Sequence, residues 1–495
     1  MQKADYRNLG ILIFVVFLIF YPLLYTPYFY TDELVQLWNY RKGSSFAMFL
    51  PQGRWLTDVL FRALYSSIDT ITQLTRLRIF SLAGWLVCLP VWYTVITRVC
   101  RREALPDTLS FLTVLCLVTS LPFATSVQWA SCVELFIANT AGLLSGYCIY
   151  AGLKEVDGKP RLSPGAAFAA LLLGLISLFS YQNGFGCFLL PFFLQWVARL
   201  KVHRRMLIAV GFYFFVYIVY FLLFKWQMIS QQTGMSDRTT LASDPLQKLL
   251  YLLGKIIPGA FYFNVAINDH TVIESIIVVL IGVACLLRNF SGIPAADRGM
   301  TRRLIYAICL FAAFALICLP SLIVKENYAS NRTMLALDMA VAIWVFNALL
   351  QWLSKKKRQL MAVAVIGLLL AANACYNFRC LFLRPAVHEY TAMQTFIYTH
   401  YTPAISSVDF IRSPEDLVTS RYHIQSSWDE FGLSSSFFKW VPEALVKQLV
   451  FERIGDRAAA DRIVVRNWTN EETWRDAGAL HPAGSLWMDA TTILR

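Results

Sequence analysis

Charged side chains are scarce in this chain. Asp, Glu, Lys and Arg make up 15% of its 495 residues, whereas soluble domains are about one-quarter charged. Hydrophobic residues account for 57% of the sequence. The low charge content excludes an ordinary soluble globular protein and predicts a protein embedded in a membrane.

Histidine is rare, and cysteine is missing from the C-terminal part. The chain has 6 His and 11 Cys, and no Cys occurs from Leu381 to Arg495. Most of the cysteines fall inside apolar runs, where cysteine behaves as a small hydrophobe. We therefore expect no disulfide scaffold in the C-terminal part. The chain also lacks a CxxC pair and a His cluster, so no zinc site is predicted.

Long apolar runs are abundant. A transmembrane helix needs about 20 predominantly apolar residues, and the sequence predicts about eleven such segments. They are residues 10–28, 79–97, 108–124, 134–152, 164–181, 184–199, 206–224, 272–287, 304–323, 334–353 and 360–376. The predicted fold class is mainly α: a polytopic membrane protein with about eleven transmembrane helices.

The positions of Lys and Arg predict the orientation of these helices, because short cytoplasmic loops are enriched in both. With the N-terminus in the cytoplasm, every inner segment is basic: residues 3–7, 98–103, 154–161, 199–205, 288–303 and 354–359. The short outer loops at 125–134 and 180–184 contain no Lys or Arg. An odd number of crossings then places the C-terminal tail outside. The net charge of +13 is spread over six inner segments, so no nucleic-acid partner is predicted.

Three large segments are predicted on the outer side. Two are loops, at about 29–77 and 225–271, and the first contains amphipathic pieces suited to the membrane surface. The third is the tail, 377–495, where short strand-like runs alternate with a helical segment, which predicts a small α+β domain. The chain is thus predicted to contain a multispan module, 1–376, and a C-terminal domain.

Two adjacent acids, Asp32 and Glu33, follow a tyrosine-rich stretch at the start of the first outer loop. Acids at a helix end are usually only solvated, but a carboxylate in a partly apolar cleft suits general-base chemistry. Arginine binds phosphate through two parallel hydrogen bonds. Arg54, in "GRW", and Arg332, in "NRT", are therefore candidate phosphate ligands.

Further outward polar residues are candidates for the same site. Lys325 is a third candidate phosphate ligand, and the acceptor or supporting candidates are Glu134, Tyr181, Gln182, Tyr328 and Asn331. One explanation unites them: a site that takes a lipid-borne phosphate from the bilayer and a polar substrate from outside. An acid would deprotonate the acceptor while arginines stabilise the leaving phosphate.

The motifs "TDE", "GRW", "YQN" and "NRT", in this order and on one side, resemble the GtrII-like serotype-converting glucosyltransferases of bacteria and their phages, which belong to the membrane glycosyltransferase class GT-C. The resemblance covers about residues 1–380. It implies a GT-C-like fold in the bacterial inner membrane, with the N-terminus cytoplasmic and the C-terminal domain periplasmic. It also implies a flippase and a polyprenyl-phosphate glucosyltransferase as companion proteins.

The resemblance further implies transfer of a sugar, glucose by analogy, from undecaprenyl phosphate to a hydroxyl of O-antigen or lipopolysaccharide, with inversion. Asp32 would be the base with Glu33 assisting or orienting, and Arg332 and Arg54 would hold the phosphate. No dedicated metal cage is evident, although Asp32 and Glu33 could hold one divalent cation weakly. The tail would help to select the acceptor saccharide.

Other functions are compatible with the sequence. A transporter or flippase for polysaccharide or lipid-linked sugar needs ionisable groups within the spans, and Asp338 is the clearest of the few present. An O-antigen polymerase, or a transferase acting on lipid A or a surface protein, is the nearest enzymatic alternative.

Overall fold

The computed structural model describes residues 2–156, 159–232, 234, 236–261, 272–292, 299–353, 355–424, 431–476 and 484–495. Parts of the predicted outer loop 225–271 and of the tail 377–495 therefore lie outside the described residues. The chain is mainly helical.

The α-helices are α1 (Lys3–Phe20), α2 (Asp32–Asn39), α3 (Trp55–Tyr65), α4 (Leu74–Arg102), α5 (Asp107–Thr119), α6 (Leu121–Gln128), α7 (Leu135–Gly152), α8 (Pro164–Ser180), α9 (Leu190–Arg199), α10 (Arg204–Ser230), α11 (Pro245–Tyr251), α12 (Ile257–Ala260), α13 (Val272–Gly292), α14 (Met300–Ile317), α15 (Leu319–Ile323), α16 (Asn331–Trp352), α17 (Lys356–Tyr376), α18 (Arg384–His400), α19 (Leu417–Tyr422), α20 (Pro442–Ile454), α21 (Arg457–Asp461), α22 (Glu471–Asp476) and α23 (Ala490–Ile493). Tighter 3-10 turns occupy Tyr21–Leu24, Ala130–Cys132, Gln182–Leu189 and Ser435–Phe437, and wider π turns occupy Leu252–Ile256 and Asn377–Leu383. The strands are β1 (Leu153–Val156), β2 (Lys159–Leu162), β3 (Ser407–Ile411), β4 (Val464–Trp468) and β5 (Ser485–Asp489).

The number of membrane crossings is smaller in the structure than eleven. Within the described residues, seven helical segments are long and apolar enough to cross a membrane, and eight if α5 and α6, which bend by 43°, count as one span. Helix α8 and the end of α13 are shorter apolar helices. The predicted segment 184–199 is a 3-10 turn followed by the ten-residue α9. The eleven-span count is therefore not confirmed.

Loops that the charge pattern assigns to one side do contact one another. At the basic end, Arg101 pairs with Asp5 at 2.7 Å, and Arg199 pairs with Glu103. At the opposite end, the hydroxyl of Thr57 donates to the carbonyl of Ser180 at 2.6 Å. The two groups of loops thus form two ends of the helical bundle, and we call the second one the acidic-loop end.

Small residues let α7 approach the 3-10 turn Gln182–Leu189 closely. A side chain on Gly146 would overlap the backbone of Phe188, and one on Gly142 would overlap the carbonyl of Gly184. Glycine at such positions permits the close backbone contact that buried membrane helices use. This contact fixes the turn that begins at Gln182.

The C-terminal domain is built on three parallel strands in the order β4–β3–β5. Parallel neighbours need crossover connections, and helices α19 to α22 lie between the strands in sequence, so the tail is an α/β unit rather than the α+β domain predicted.

Asp409 in β3 accepts hydrogen bonds from residues of both neighbouring strands. Burial opposes its charge, but hydrogen bonds from Arg466, Ser485 and Trp468 outweigh burial and lower the pKa of Asp409.

One helical segment joins the membrane module to this domain. Helices α17 and α18 run together through the π turn from Lys356 to His400. The predicted boundary at 376/377 falls inside this segment, and the first strand beyond it begins at Ser407. The domain also docks on the first outer loop: Gln448 donates to the carbonyl of Asp69 at 2.8 Å.

Candidate functional site

The two adjacent acids point in different directions. Asp32 and Glu33 are the first residues of α2, and successive residues on a helix are about 100° apart around its axis. Glu33 is fully buried, whereas Asp32 is partly exposed. The acids therefore have separate environments and separate roles.

Glu33 is the acceptor of a buried network. It forms an ion pair with Arg78, whose side chain is also fully buried. Its oxygens also accept hydrogen bonds from the backbone N–H groups of Tyr30 and Ala130. Buried charges are found paired and hydrogen-bonded in this way. Glu33 is thus committed to positioning the loops and does not act as a free base.

Asp32 faces the C-terminal domain. Its Oδ1 accepts a hydrogen bond of 3.1 Å from the indole Nε1 of Trp440. The residue before it, Thr31, has a backbone φ of +39°, a conformation that is strained for a branched residue. The backbone N–H of Thr31 donates to the hydroxyl of Ser435 at 3.0 Å. The contact with the domain thus helps to hold the turn that presents Asp32.

The "GRW" and "YQN" motifs interlock. Gly53 has a φ of +71°, and its carbonyl accepts a hydrogen bond from the hydroxyl of Tyr220 at 3.2 Å. Gln182 donates to the carbonyl of Gln52 at 2.6 Å and to Tyr220 at 2.8 Å. Gln182, an acceptor or supporting candidate in the sequence, therefore positions the loop that carries Arg54.

Replacing Gly53 by Ala should disrupt the hydrogen bonds among Gln52, Gly53, Gln182 and Tyr220. The new methyl group would overlap the Tyr220 hydroxyl, and an L-residue at positive φ costs a further ~1–2 kcal/mol. We expect a lower thermal unfolding midpoint than in Gly43→Ala. Gly43 has a φ of +89° but open space around it, so this control carries the strain without the overlap. Equal midpoints for the two variants would show that these hydrogen bonds do not contribute to stability.

Arg54 lies over the ring of Tyr181, with 4.2 Å between the guanidinium carbon and the ring centre. Its Nε is buried and has no hydrogen-bond partner among the described residues. An arginine held flat by an aromatic ring, with a donor left over, is suited to an anion. Tyr181 is buried and serves as the support for Arg54.

Arg332, like Arg54, lies over an aromatic ring. Its guanidinium carbon lies 4.5 Å from the ring centre of Trp129, and its Nε donates to the hydroxyl of Tyr328 at 2.9 Å. The Trp129 ring in turn packs edge-on against Tyr30 at 5.5 Å. Tyr30, Trp129 and Arg332 thus pack in a row at the acidic-loop end, and Tyr30 lies two residues before Asp32 in the chain.

The third candidate phosphate ligand is misassigned. Lys325 is exposed and pairs with Asp237 at 3.3 Å, whereas its neighbours Val324 and Glu326 line the cavity described below. Arg238, which the sequence analysis did not single out, lines that cavity and pairs with Glu326 at 2.7 Å.

The loop 324–328 is fixed by Lys248. Its ammonium donates to the carbonyl of Glu326 at 3.1 Å and to the side chain of Asn327 at 2.6 Å. Burial lowers the pKa of Lys248, and the charge of Glu326 acts against that shift.

The "YQN" turn contacts the start of α16, because Asn183 donates to the carbonyl of Thr333 at 3.3 Å. Asn331 is buried at the start of α16.

Glu134 is a buried acid on which the charges of both arginines act. Its Oε2 has no hydrogen-bond partner among the described residues, and the charges of Arg54 and Arg332 act on it. A buried carboxylate in that position balances two cations while no anion is bound. Glu134 therefore supports the arginine pair rather than only ending a helix.

A cavity of about 400 Å³ lies beside Arg54, and Tyr328, the hydrogen-bond partner of Arg332, also lines it. One wall is apolar and comes from α10, whose residues Ile218 and Leu222 are about 60% exposed on the outside of the bundle. The other wall carries Arg54, Arg238 and Gln182. A cavity that is apolar along one helix and cationic at one end is complementary to an amphiphile with an anionic head group.

The two acids do not form a joint metal site in this arrangement. Glu33 uses its oxygens for Arg78 and the backbone, and Asp32 points away from it. No group of three or more His, Cys, Asp or Glu side chains suited to a metal occurs among the described residues. A divalent cation held weakly by Asp32 and Glu33 together, which the sequence allows, would require Glu33 to leave Arg78.

Several site residues carried no local signal in the sequence. Arg78 and Trp440 become recognisable only through their partners, which are 45 and 408 residues away in the chain. Arg238 did have a signal, because it is the basic residue of a polar stretch in the second outer loop.

Comparison with known proteins finds no family model, no curated protein and no solved structure that matches this chain.

Proposed function

We propose that the protein is an inverting membrane glycosyltransferase that moves a sugar from a polyprenyl-phosphate carrier to a hydroxyl of a cell-surface saccharide. Glucose on undecaprenyl phosphate is the donor that the motif resemblance favours, and O-antigen or lipopolysaccharide is the acceptor. The reaction would take place at the acidic-loop end, on the periplasmic side of the inner membrane.

The cavity beside α10 is the observation that carries this proposal. Its apolar wall suits a polyprenyl chain entering from the bilayer, and its cationic end suits a phosphate. Arg54 provides a buried donor with no partner among the described residues. Arg332 packs on Trp129, whose ring packs on Tyr30, two residues before Asp32 in the chain. On this proposal the lipid-borne phosphate would react near that acid.

The proposed chemistry needs three events. The acceptor oxygen attacks the anomeric carbon of the donor sugar, and its proton passes to a carboxylate oxygen of Asp32. The bond between the anomeric carbon and the phosphate oxygen breaks, and the electron pair leaves with the polyprenyl phosphate. Arg54 and Arg332 stabilise the charge that develops on that phosphate. Attack opposite the leaving group inverts the configuration.

Reconstituted transfer is the direct test. Purified protein in nanodiscs receives radiolabelled undecaprenyl-phosphate-glucose and lipid-linked O-antigen, and the product is analysed for label and anomeric configuration. We expect labelled saccharide with inverted linkage. Chain extension without transfer of glucose would instead identify a polymerase, and no labelled product from any polyprenyl-phosphate sugar would reject the proposal.

Replacing Arg54 by Gln should weaken use of the donor. A hydrogen bond to a charged group contributes about 1.5–3 kcal/mol, so kcat/KM for the donor should fall roughly 10- to 150-fold. Lys325→Gln is the matched control, because Lys325 is exposed and does not line the cavity. If both variants reduce donor kcat/KM equally, the cavity is not the phosphate site.

A transporter is the second candidate, because α16 carries an ionisable residue within a span. Oδ1 of Asp338 is buried and has no hydrogen-bond partner among the described residues, and ionisable residues inside membranes are commonly functional. In vesicles, movement of a labelled lipid-linked sugar that Asp338→Asn abolishes, without glycoside formation, would identify a transporter. Transfer that survives Asp338→Asn supports the enzyme.

A further inference from the structure

We propose that Trp440 and Phe438 form the subsite that holds the acceptor saccharide against Asp32. This inference rests on the proposed function and deepens it, because it assigns the acceptor to a defined surface of the C-terminal domain. The juxtaposition that carries it is an exposed tryptophan, packed on the half-buried Phe438, that donates a hydrogen bond to the candidate base.

The first observation is the exposure of a large aromatic side chain on the domain. Trp440 is 48% exposed, although it lies in a domain whose core is well packed. Its ring packs on Phe438, with 4.8 Å between ring centres. Asn467 donates to the carbonyl of Lys439 at 2.7 Å, which fixes the segment that carries both rings. The rings thus form a rigid aromatic platform.

The second observation is the direction of the Trp440 indole. Its Nε1–H donates to Asp32, which is more than 400 residues away in the chain. Trp468 in the same domain uses its Nε1–H on Asp409, inside the sheet. Trp474 packs on Trp487, with 4.5 Å between ring centres. Among these tryptophans, Trp440 reaches the candidate base and the others hold the domain together.

A saccharide is the ligand that this surface fits. Sugar rings present an apolar C–H face and a rim of hydroxyl groups, and tryptophan combines a large apolar face with a polar tip. A ring stacked on Trp440 places its hydroxyl rim next to the Asp32 carboxylate, which accepts hydrogen bonds. The indole N–H uses Oδ1 of Asp32, and the second carboxylate oxygen can accept the proton of the reacting hydroxyl.

The experiment measures saccharide binding separately from sugar transfer. Full-length protein in nanodiscs is titrated with a panel of O-antigen polysaccharides freed from lipid A by mild acid, and binding is followed by calorimetry. We expect Trp440→Ala to raise Kd and the acceptor KM about tenfold, which corresponds to ~1.4 kcal/mol. Donor KM should stay unchanged. Trp440→Phe keeps a ring and should change Kd less than Trp440→Ala.

Two further variants make the test decisive. Trp352→Ala, which removes an equally exposed tryptophan (51%) at the end of α16, should bind saccharide like the wild type. If the alanine variant does not fold, Trp440→Leu takes its place. It fills space without a ring and should weaken saccharide binding to the same extent. Trp440-dependent binding without any transfer would support the subsite and reject the transferase. Unchanged binding in the Trp440 variants, or no binding of any polysaccharide by the wild type, would overturn the inference.

Discussion

Asp32→Asn should nearly abolish sugar transfer while leaving the fold intact. A positioned general base contributes typically 10²–10⁴-fold to a rate, so kcat should fall by about that factor. The asparagine amide oxygen can still accept the hydrogen bond from Trp440. Saccharide binding and the unfolding midpoint should therefore stay close to the wild type. The measurement is single-turnover transfer from undecaprenyl-phosphate-glucose.

Asp69→Asn is the matched control for this variant. Asp69 is an exposed acid in the same outer loop, and its removal should leave the rate within about twofold, as is usual for surface changes. If Asp32→Asn transfers sugar at the normal rate, Asp32 is not the base. Glu134 would then be the next carboxylate to test, because it lies within reach of the charges of both arginines.

Arg78→Met should cause the largest loss of stability. Arg78 and Glu33 are both fully buried and paired, and removing one partner of a buried pair costs about 3–5 kcal/mol because the other charge is left without compensation. Arg78 also donates to the carbonyl of Gln128 at 3.1 Å. We expect a large drop in the thermal unfolding midpoint in detergent and loss of transfer.

Two comparisons separate this effect from a general loss of positive charge. Arg76→Met removes an exposed arginine two residues earlier on α4 and should leave the midpoint nearly unchanged. Glu33→Gln combined with Arg78→Met removes both buried charges and should recover part of the stability. If Arg78→Met unfolds at the wild-type midpoint, the pair does not organise the acidic-loop end.

The sequence predicted the grouping of loops better than their chemistry. Lys and Arg mark one side of each crossing, and this signal is local. The charge pattern places the loop that contains Thr57 and the loop after Ser180 at the same end, where Thr57 donates to the carbonyl of Ser180. The length of each apolar run is also local. The 3-10 turn Gln182–Leu189 nevertheless escaped prediction, because hydrophobicity alone does not distinguish an α-helix from a tighter turn.

The roles of individual polar residues depended on distant partners. Asp32 and Glu33 are neighbours in sequence, but only Arg78 and Trp440 determine which of them is buried and which is presented. Lys325 is a cation like arginine, yet it pairs with Asp237 and does not line the cavity. Arg238 does line it, because the second outer loop packs on the first, where Thr239 donates to the carbonyl of Pro51. Such long-range contacts leave no periodic pattern in the chain.

The helical segment from Lys356 to His400 has a consequence for engineering this protein. At 1.5 Å per residue its 45 residues extend about 68 Å, roughly twice the thickness of a hydrocarbon core. The C-terminal domain is therefore attached to the membrane module by a long helical segment. A second attachment is the hydrogen bond from Gln448 to the carbonyl of Asp69. A graft that exchanges this domain for a foreign one has to supply new partners for residues 29–77, which contact the domain at Asp32 and Asp69.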